Sequence, residues 1–229
     1  MAKASDRSDK EVVQNYFNTT GFERWRKIYS DTEQVNKVQL DIREGHQRTI
    51  DQVLYWLKYK GQIQGATVCD AGCGVGSLSI PLAKMGAKVF ASDISEKMIH
   101  EAKERIGAED NPVFAVSDLE DITGNYDVVI CLDVLIHYPT DQALAMLTHL
   151  AKLAKNRLII SFAPQNLFYE LLKKIGSFFP GASKTTRAYL HQERVIKNHL
   201  QSLGFHIERS EFIASQFYFA TVFDALRTA

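Results

Sequence analysis

The spacing of apolar positions changes near residue 66, and that change divides the chain. Before it, Val12, Val13, Tyr16 and Phe17 mark one face of a helical pattern over 8–30, interrupted at Gly21. Val35, Val38, Leu40, Ile42, Ile50, Val53, Leu54 and Leu57 then recur at three- and four-residue steps. That period predicts a long helix over 31–59, which Gly45 can break in two. From residue 66, short and nearly continuous apolar runs take over: ATVCD, AKVFASD, PVFAVSD, YDVVICLD and NRLIISFAP. Between them SLSIPLAKMG, SEKMIHEAKERIG and DQALAMLTHLAKLA carry helical periods, with Ser95 as a cap and Gly86 and Gly107 as stops. After Pro164 the alternation ends. A helix over 188–203 closes at Gly204, and FHIERSEF and FYFATVFDAL read as two antiparallel closing strands.

Strands that alternate with helices, and are apolar on both faces, predict a mainly parallel sheet covered on both sides. The expected fold is therefore α/β: a Rossmann-like, doubly wound sheet, mostly parallel with an antiparallel last strand. An N-terminal helical arm or lid occupies 1–60, the cofactor-binding core 61–164, a helical cap insert and helix 165–204, and the closing strands 205–229. Right-handed crossovers place the C-terminal strand ends along one edge, where ligands bind in such sheets.

Composition narrows the partners. Lys plus Arg and Asp plus Glu both total 27 in 229 residues, so no global field favours nucleic acid or an anionic membrane. No apolar run reaches the roughly 20 residues that span a bilayer, and MAKASDRSDKE lacks a signal-peptide core. The expectation is a cytoplasmic chain, or one peripheral on a membrane. Three cysteines, Cys69, Cys73 and Cys131, suit neither a disulfide framework nor a zinc site. No dedicated metal site is expected, since Asp133 and His137, four apart, lack a third ligand.

The candidate chemistry starts at VCDAGCGVGS, where a strand runs into Gly72, Gly74 and Gly76. Ser77 stands where a dinucleotide loop has its third glycine. Asp70, just before the loop, is a poor neighbour for a pyrophosphate and a good one for a cation. S-adenosyl-L-methionine carries two, an ammonium and a sulfonium. Asp93 ends the next strand, where a carboxylate can accept from ribose hydroxyls. Asp118 can meet an adenine amino group, with Met98 and Leu119 on either side of the ring.

On these residues the chain resembles the class I S-adenosylmethionine-dependent methyltransferases: VCDAGCGVGSLSIPLA, ASDIS and VSDLE match their motifs over 66–162. The resemblance implies cofactor roles for Asp70, Gly72, Gly74, Asp93, Met98, Asp118 and Leu119. Cys73, Ile94 and Leu132, in the same turns, join that set. The segment LDV after the fourth strand lacks a nucleic-acid methyltransferase signature, so no nucleic-acid partner is expected. CLDVLIHYP, VVQNYFNTTGFERWRKIYSD and LFYELLKKIGSFFPGASKTTRAYLH resemble the magnesium-protoporphyrin IX O-methyltransferase family of chlorophyll biosynthesis, over nearly the whole chain. That resemblance implies methyl transfer to one porphyrin propionate, with magnesium entering only as part of the substrate. It implies the magnesium chelatase as supplier and photosynthetic membranes as a peripheral location.

Such an acceptor is a flat apolar disc with two carboxylates. Tyr138, Phe168, Leu172, Phe178 and Phe179 can cover it, and Arg187 can meet a carboxylate or, with the neighbouring lysines, a lipid headgroup. His137 and Tyr29 are the expected catalytic pair, with Arg43 and His46 nearer the cofactor's carboxylate. His137 orients the acceptor or takes a proton from it. Two other readings stay open: a quinone or phenol methyltransferase, and a module that keeps the cofactor loop without turnover.

Overall fold

The computed structural model describes residues 9–28, 35–58, 63–165 and 188–228. Tyr29, Phe168, Leu172, Phe178, Phe179 and Arg187 lie outside them. The sheet contains β1 (Thr67–Ala71), β2 (Lys88–Asp93), β3 (Val113–Val116), β4 (Tyr126–Cys131), β5 (Ala154–Phe162), β6 (Phe205–Ala214) and β7 (Phe219–Arg227). Its order is β3-β2-β1-β4-β5-β7-β6. β7 alone runs antiparallel, to β5 on one side and β6 on the other. The helices are α1 (Asp9–Phe17), α2 (Thr20–Ile28), α3 (Lys37–Lys58), α4 (Ser79–Lys84), α5 (Glu96–Ile106), α6 (Thr140–Leu153) and α7 (Glu193–Ser202).

The central strands β1, β4 and β5 are largely apolar because both faces are buried, whereas the edge strand β6 keeps His206, Glu208 and Glu211 exposed. In β4, Val129 and Cys131 pack with Leu147 and Leu150 of α6, while Val128 and Ile130 pack with Val53 and Leu57 of α3. In β5 the same period of two sends Leu158, Ile160 and Phe162 to one core and Ile159 to the other. A strand half-exposed to water would need a polar residue at every second position.

Three local expectations differ from the observed elements. α3 is one unbroken helix through Gly45, whose Cβ, if present, would lie 2.5 Å from the Tyr218 ring. Glycine is there for close approach, not as a break. The interruption between α1 and α2 falls at Asn18 and Thr19, and Gly21 lies inside α2. The last helix starts at Glu193 rather than near 188, because His191 instead makes a parallel bridge with Pro164 beside the end of β5.

α3 is fastened to the β6–β7 turn by one face. Asp41 accepts from Ser215 Oγ at 2.6 Å and from Phe217 N at 2.6 Å, and Arg48 donates to Ala214 O at 3.1 Å. α1 is held by several separate elements. Ser95 Oγ donates to Asn18 Oδ1 at 2.8 Å and also caps α5 by accepting from Met98 N at 3.3 Å. Lys10 pairs with Asp118.

Candidate active site

The C-terminal tips of β1, β2 and β4 open into one cavity, closed on its outer side by Val13 and Phe17 of α1. It encloses about 860 Å³ of space, part of it open to solvent. Gly72 makes the tight turn after β1 at φ 83°, and its amide and that of Cys73 both donate to Ser92 O, at 2.8 and 2.9 Å. A Cβ on Gly72 would stand 2.2 Å from Val134 Cγ2, so a side chain there would push the β4 tip away.

Two acids at these tips, Asp70 buried and Asp93 half-buried, line the cavity where a ligand can reach them. Asp70 is 2% exposed and accepts from Ser79 Oγ at 2.5 Å. Burial pushes its carboxyl up to about 6, the nearby Asp93 charge adds to this, and Ser79 and His46 pull the other way. An ionised Asp70 is therefore short of positive charge, the condition a bound ammonium would relieve. Asp93 is held by two backbone amides, Gly74 N to Oδ2 at 3.0 Å and Ser95 N to Oδ1 at 2.9 Å. Each oxygen keeps a second lone pair, enough for a pair of ligand hydroxyls. Asp118 caps the short 3-10 turn Leu119–Asp121 and also faces the cavity, as do Ile94, Met98 and Leu119. These groups fit S-adenosyl-L-methionine: a cation-seeking carboxylate, a hydroxyl-binding carboxylate and an apolar slot follow one another along the edge.

The opposite wall is formed after β4. Leu132, Asp133, Val134, His137 and Tyr138 all line it. His137 sits on the 3-10 turn Leu135–His137, with its ring edge-on to Phe17 at 5.3 Å. Burial lowers its pKa to about 4, although Asp133 opposes the shift, so the imidazole is neutral at physiological pH. Tyr138 is buried, which pushes its hydroxyl up.

Asp133 has a larger part than its sequence neighbourhood suggested. It does not share a helix with His137; it precedes the turn in a left-handed conformation, φ 57°. Its carboxylate accepts from His46 Nδ1 at 2.8 Å, Tyr218 OH at 2.9 Å and Ser161 Oγ at 2.9 Å. Burial would raise its pKa, but His46, Tyr218 and Ser161 more than offset that and hold it below the usual carboxylate range. The residue ties α3, β5 and the start of β7 to the β4 tip. A carboxylate after VVICL, matching those at the ends of β1 and β2, was the signal for it.

His46 lines the cavity and Arg43 does not. The Arg43 guanidinium donates to Ile28 O and Lys27 O, both at 2.6 Å, and so closes the C-terminus of α2. The last carbonyls of a helix attract a cation, and Arg43 lies one turn too early on α3 to face inward. Among the described lining residues there are four carboxylates and no lysine or arginine.

Two family models match the chain: the magnesium-protoporphyrin IX methyltransferase C-terminus over residues 131–227 and a methyltransferase domain over 68–157. A magnesium-protoporphyrin O-methyltransferase of Synechocystis is 55% identical over 96% of this chain and 97% of its own. The chloroplastic magnesium protoporphyrin IX methyltransferase of Arabidopsis thaliana is 53% identical over 95% of this chain and 71% of its own. The crystal structure of magnesium protoporphyrin IX methyltransferase from Synechocystis with bound S-adenosyl-L-homocysteine superposes with a TM-score of 0.87, at 53% identity over 96% of this chain and 100% of that one.

Proposed function

The chain belongs to the magnesium-protoporphyrin IX methyltransferase family, and on that premise we propose how its two cavity walls share the reaction. The chain transfers a methyl group from S-adenosyl-L-methionine to a propionate carboxylate of magnesium-protoporphyrin IX, giving the monomethyl ester of chlorophyll synthesis. The cofactor supplies, when bound, a methyl group activated by a positive sulfur. In our reading Asp70 holds the amino-acid end, Asp93 the ribose and Asp118 with Leu119 and Met98 the adenine, while Gly72, Cys73, Gly74, Ile94 and Leu132 shape the slot. His46 lies on the amino-acid side.

The observation that supports the acceptor assignment is the position of His137, facing Asp70 and Asp93 across one cavity, with burial lowering its pKa. A propionate, with a pKa near that of Glu, about 4.3, is already ionised at pH 7 and needs no base. A phenol of pKa about 10 would have to lose its proton to an imidazole near 4. An imidazole whose pKa burial lowers is a poor base for that proton. His137 therefore orients the carboxylate by donating a hydrogen bond, and Phe17 and Val13 keep water out. Tyr29, between α2 and α3, is proposed as the second orienting group, on its sequence position alone.

Two finer proposals rest on sequence. Residues 166–187, rich in Leu and Phe with interspersed Lys and Arg, cover the porphyrin face through Phe168, Leu172, Phe178 and Phe179, with Arg187 at a carboxylate; Tyr138 adds the inner edge. The same segment seats the enzyme peripherally on a photosynthetic membrane, and the chelatase that inserts the magnesium hands over the substrate. Among the described residues no helix is long and apolar enough to cross a membrane.

The test is incubation with methyl-labelled S-adenosyl-L-methionine and magnesium-protoporphyrin IX. Label in a base-labile monomethyl ester supports the reading. Transfer to a phenolic acceptor but not to the porphyrin would overturn it.

A further inference from the structure

A second histidine stands behind His137, outside the cavity lining. His191 is fully buried, 0% exposed, yet it belongs to neither apolar core. It lies just after the insert in sequence, and its backbone is tied to the residues that follow β5. His191 N donates to Ala163 O at 2.9 Å, and Gln165 N donates to His191 O at 3.1 Å.

The ring is fixed from both ends. Nε2 lies 3.0 Å from Leu135 O and Nδ1 lies 3.2 Å from Thr140 Oγ1. A carbonyl only accepts, so the proton is on Nε2, and Nδ1 accepts from the threonine hydroxyl. Burial lowers the pKa of His191 and keeps the ring neutral. Two residues earlier, Tyr189 N donates to Ile136 O at 2.7 Å. The carbonyls of Leu135 and Ile136, directly before His137, are thus both held by the strap 188–191. Thr140 opens α6 on the other side of the turn.

A buried imidazole is costly unless its hydrogen bonds are made, and an apolar ring would fill the same space without that cost. What the imidazole adds is a fixed position for the two peptide groups that carry His137. We propose that His191 is a positioning residue for methyl transfer, clasping residues 188–191 to the Leu135–His137 turn so that His137 keeps a fixed position facing the cavity. This rests on the reading that His137 faces the acceptor.

The test compares His191→Phe, which keeps the volume and loses both bonds, with His191→Gln, whose amide nitrogen can replace Nε2 as donor. For each full-length variant, kcat and KM for magnesium-protoporphyrin IX are measured beside the dissociation constant for S-adenosyl-L-homocysteine. The Phe variant should lose about 10- to 100-fold in kcat, the size expected of a small misplacement at the reacting groups, with cofactor affinity changed less than about twofold. The Gln variant should recover most of that loss. A Phe variant with wild-type kcat, or equal loss in both variants together with cofactor affinity, would overturn the proposal. Ring nitrogen NMR of the wild-type protein decides the geometry even if the Phe variant does not fold: a neutral ring protonated on Nε2 supports it, and a proton on Nδ1 or a charged ring at neutral pH contradicts it. Failure of the wild type to methylate the porphyrin would count against the assigned function instead, and the NMR result would still stand.

Discussion

The two walls of the cavity solve opposite electrostatic problems. At the tips of β1 and β2, Asp70 is a buried acid short of positive charge and Asp93 a half-buried one held by two backbone amides. After β4, His137 is held neutral by burial, and Asp133 is already satisfied by three donors. The first wall attracts a cation, and the second receives a group without competing for its charge. An anionic acceptor would be repelled by the first wall alone. With a cationic cofactor between them, the repulsion is screened at short range and the acceptor is drawn to the positive sulfur.

Substitutions can break this contrast. The largest effect should come from Asp93→Ala, which removes the acceptor of two backbone amides as well as the proposed ribose contact. Bonds to a charged group contribute about 1.5–3 kcal/mol each, so S-adenosyl-L-homocysteine affinity should fall by roughly 100-fold or more in calorimetry. Asp133→Asn should be milder, because asparagine tolerates the left-handed backbone and keeps an acceptor for Ser161 or Tyr218. It removes the charge facing His46, and a roughly tenfold fall in kcat/KM is expected.

The contrast can also be sharpened by pH. Asp70 titrates near 6 without ligand, and a cation favours its ionised form. Cofactor affinity should therefore hold above about pH 6 and fall below it by up to tenfold per pH unit. Asp70→Asn should bind weakly and lose this dependence. The sign for stability is the reverse: with its folded pKa raised above 3.8, Asp70 makes the ligand-free protein less stable as pH rises from about 4 to 6. The smallest expected effect on catalysis is that of Gly45→Ala, at a position that does not line the cavity and acts only through Tyr218 and its bond to Asp133. Its methyl meets the Tyr218 ring, which should cost about 1–3 kcal/mol of stability, read as a lower midpoint in thermal melts.

The two walls also differ in how far the sequence reveals them. Asp70, Gly72 and Asp93 stand where a strand turns into a helix, and short-range rules place them at one edge. Asp133 was visible only as another acid after an apolar run, because Tyr218, His46 and Ser161 come from distant parts of the chain. Gly45 read as a helix break for the same reason: local propensity cannot show the aromatic ring packed on it. Arg43 read as a ligand for the cofactor's carboxylate, but the open carbonyls at the end of α2 engage it first. His191 carried no signal at all, since its partners are backbone carbonyls and one threonine.

The central claim is that one wall binds and the other orients. Its most direct test is to measure S-adenosyl-L-homocysteine affinity and kcat side by side on Asp70→Asn and His137→Ala. Asp70→Asn should lose affinity. His137→Ala should keep affinity within about twofold while kcat falls by roughly 100-fold, the usual scale for a group acting at the reacting atoms. If both variants change the same constant, or if His137→Ala turns over like the wild type, the division between the walls is wrong.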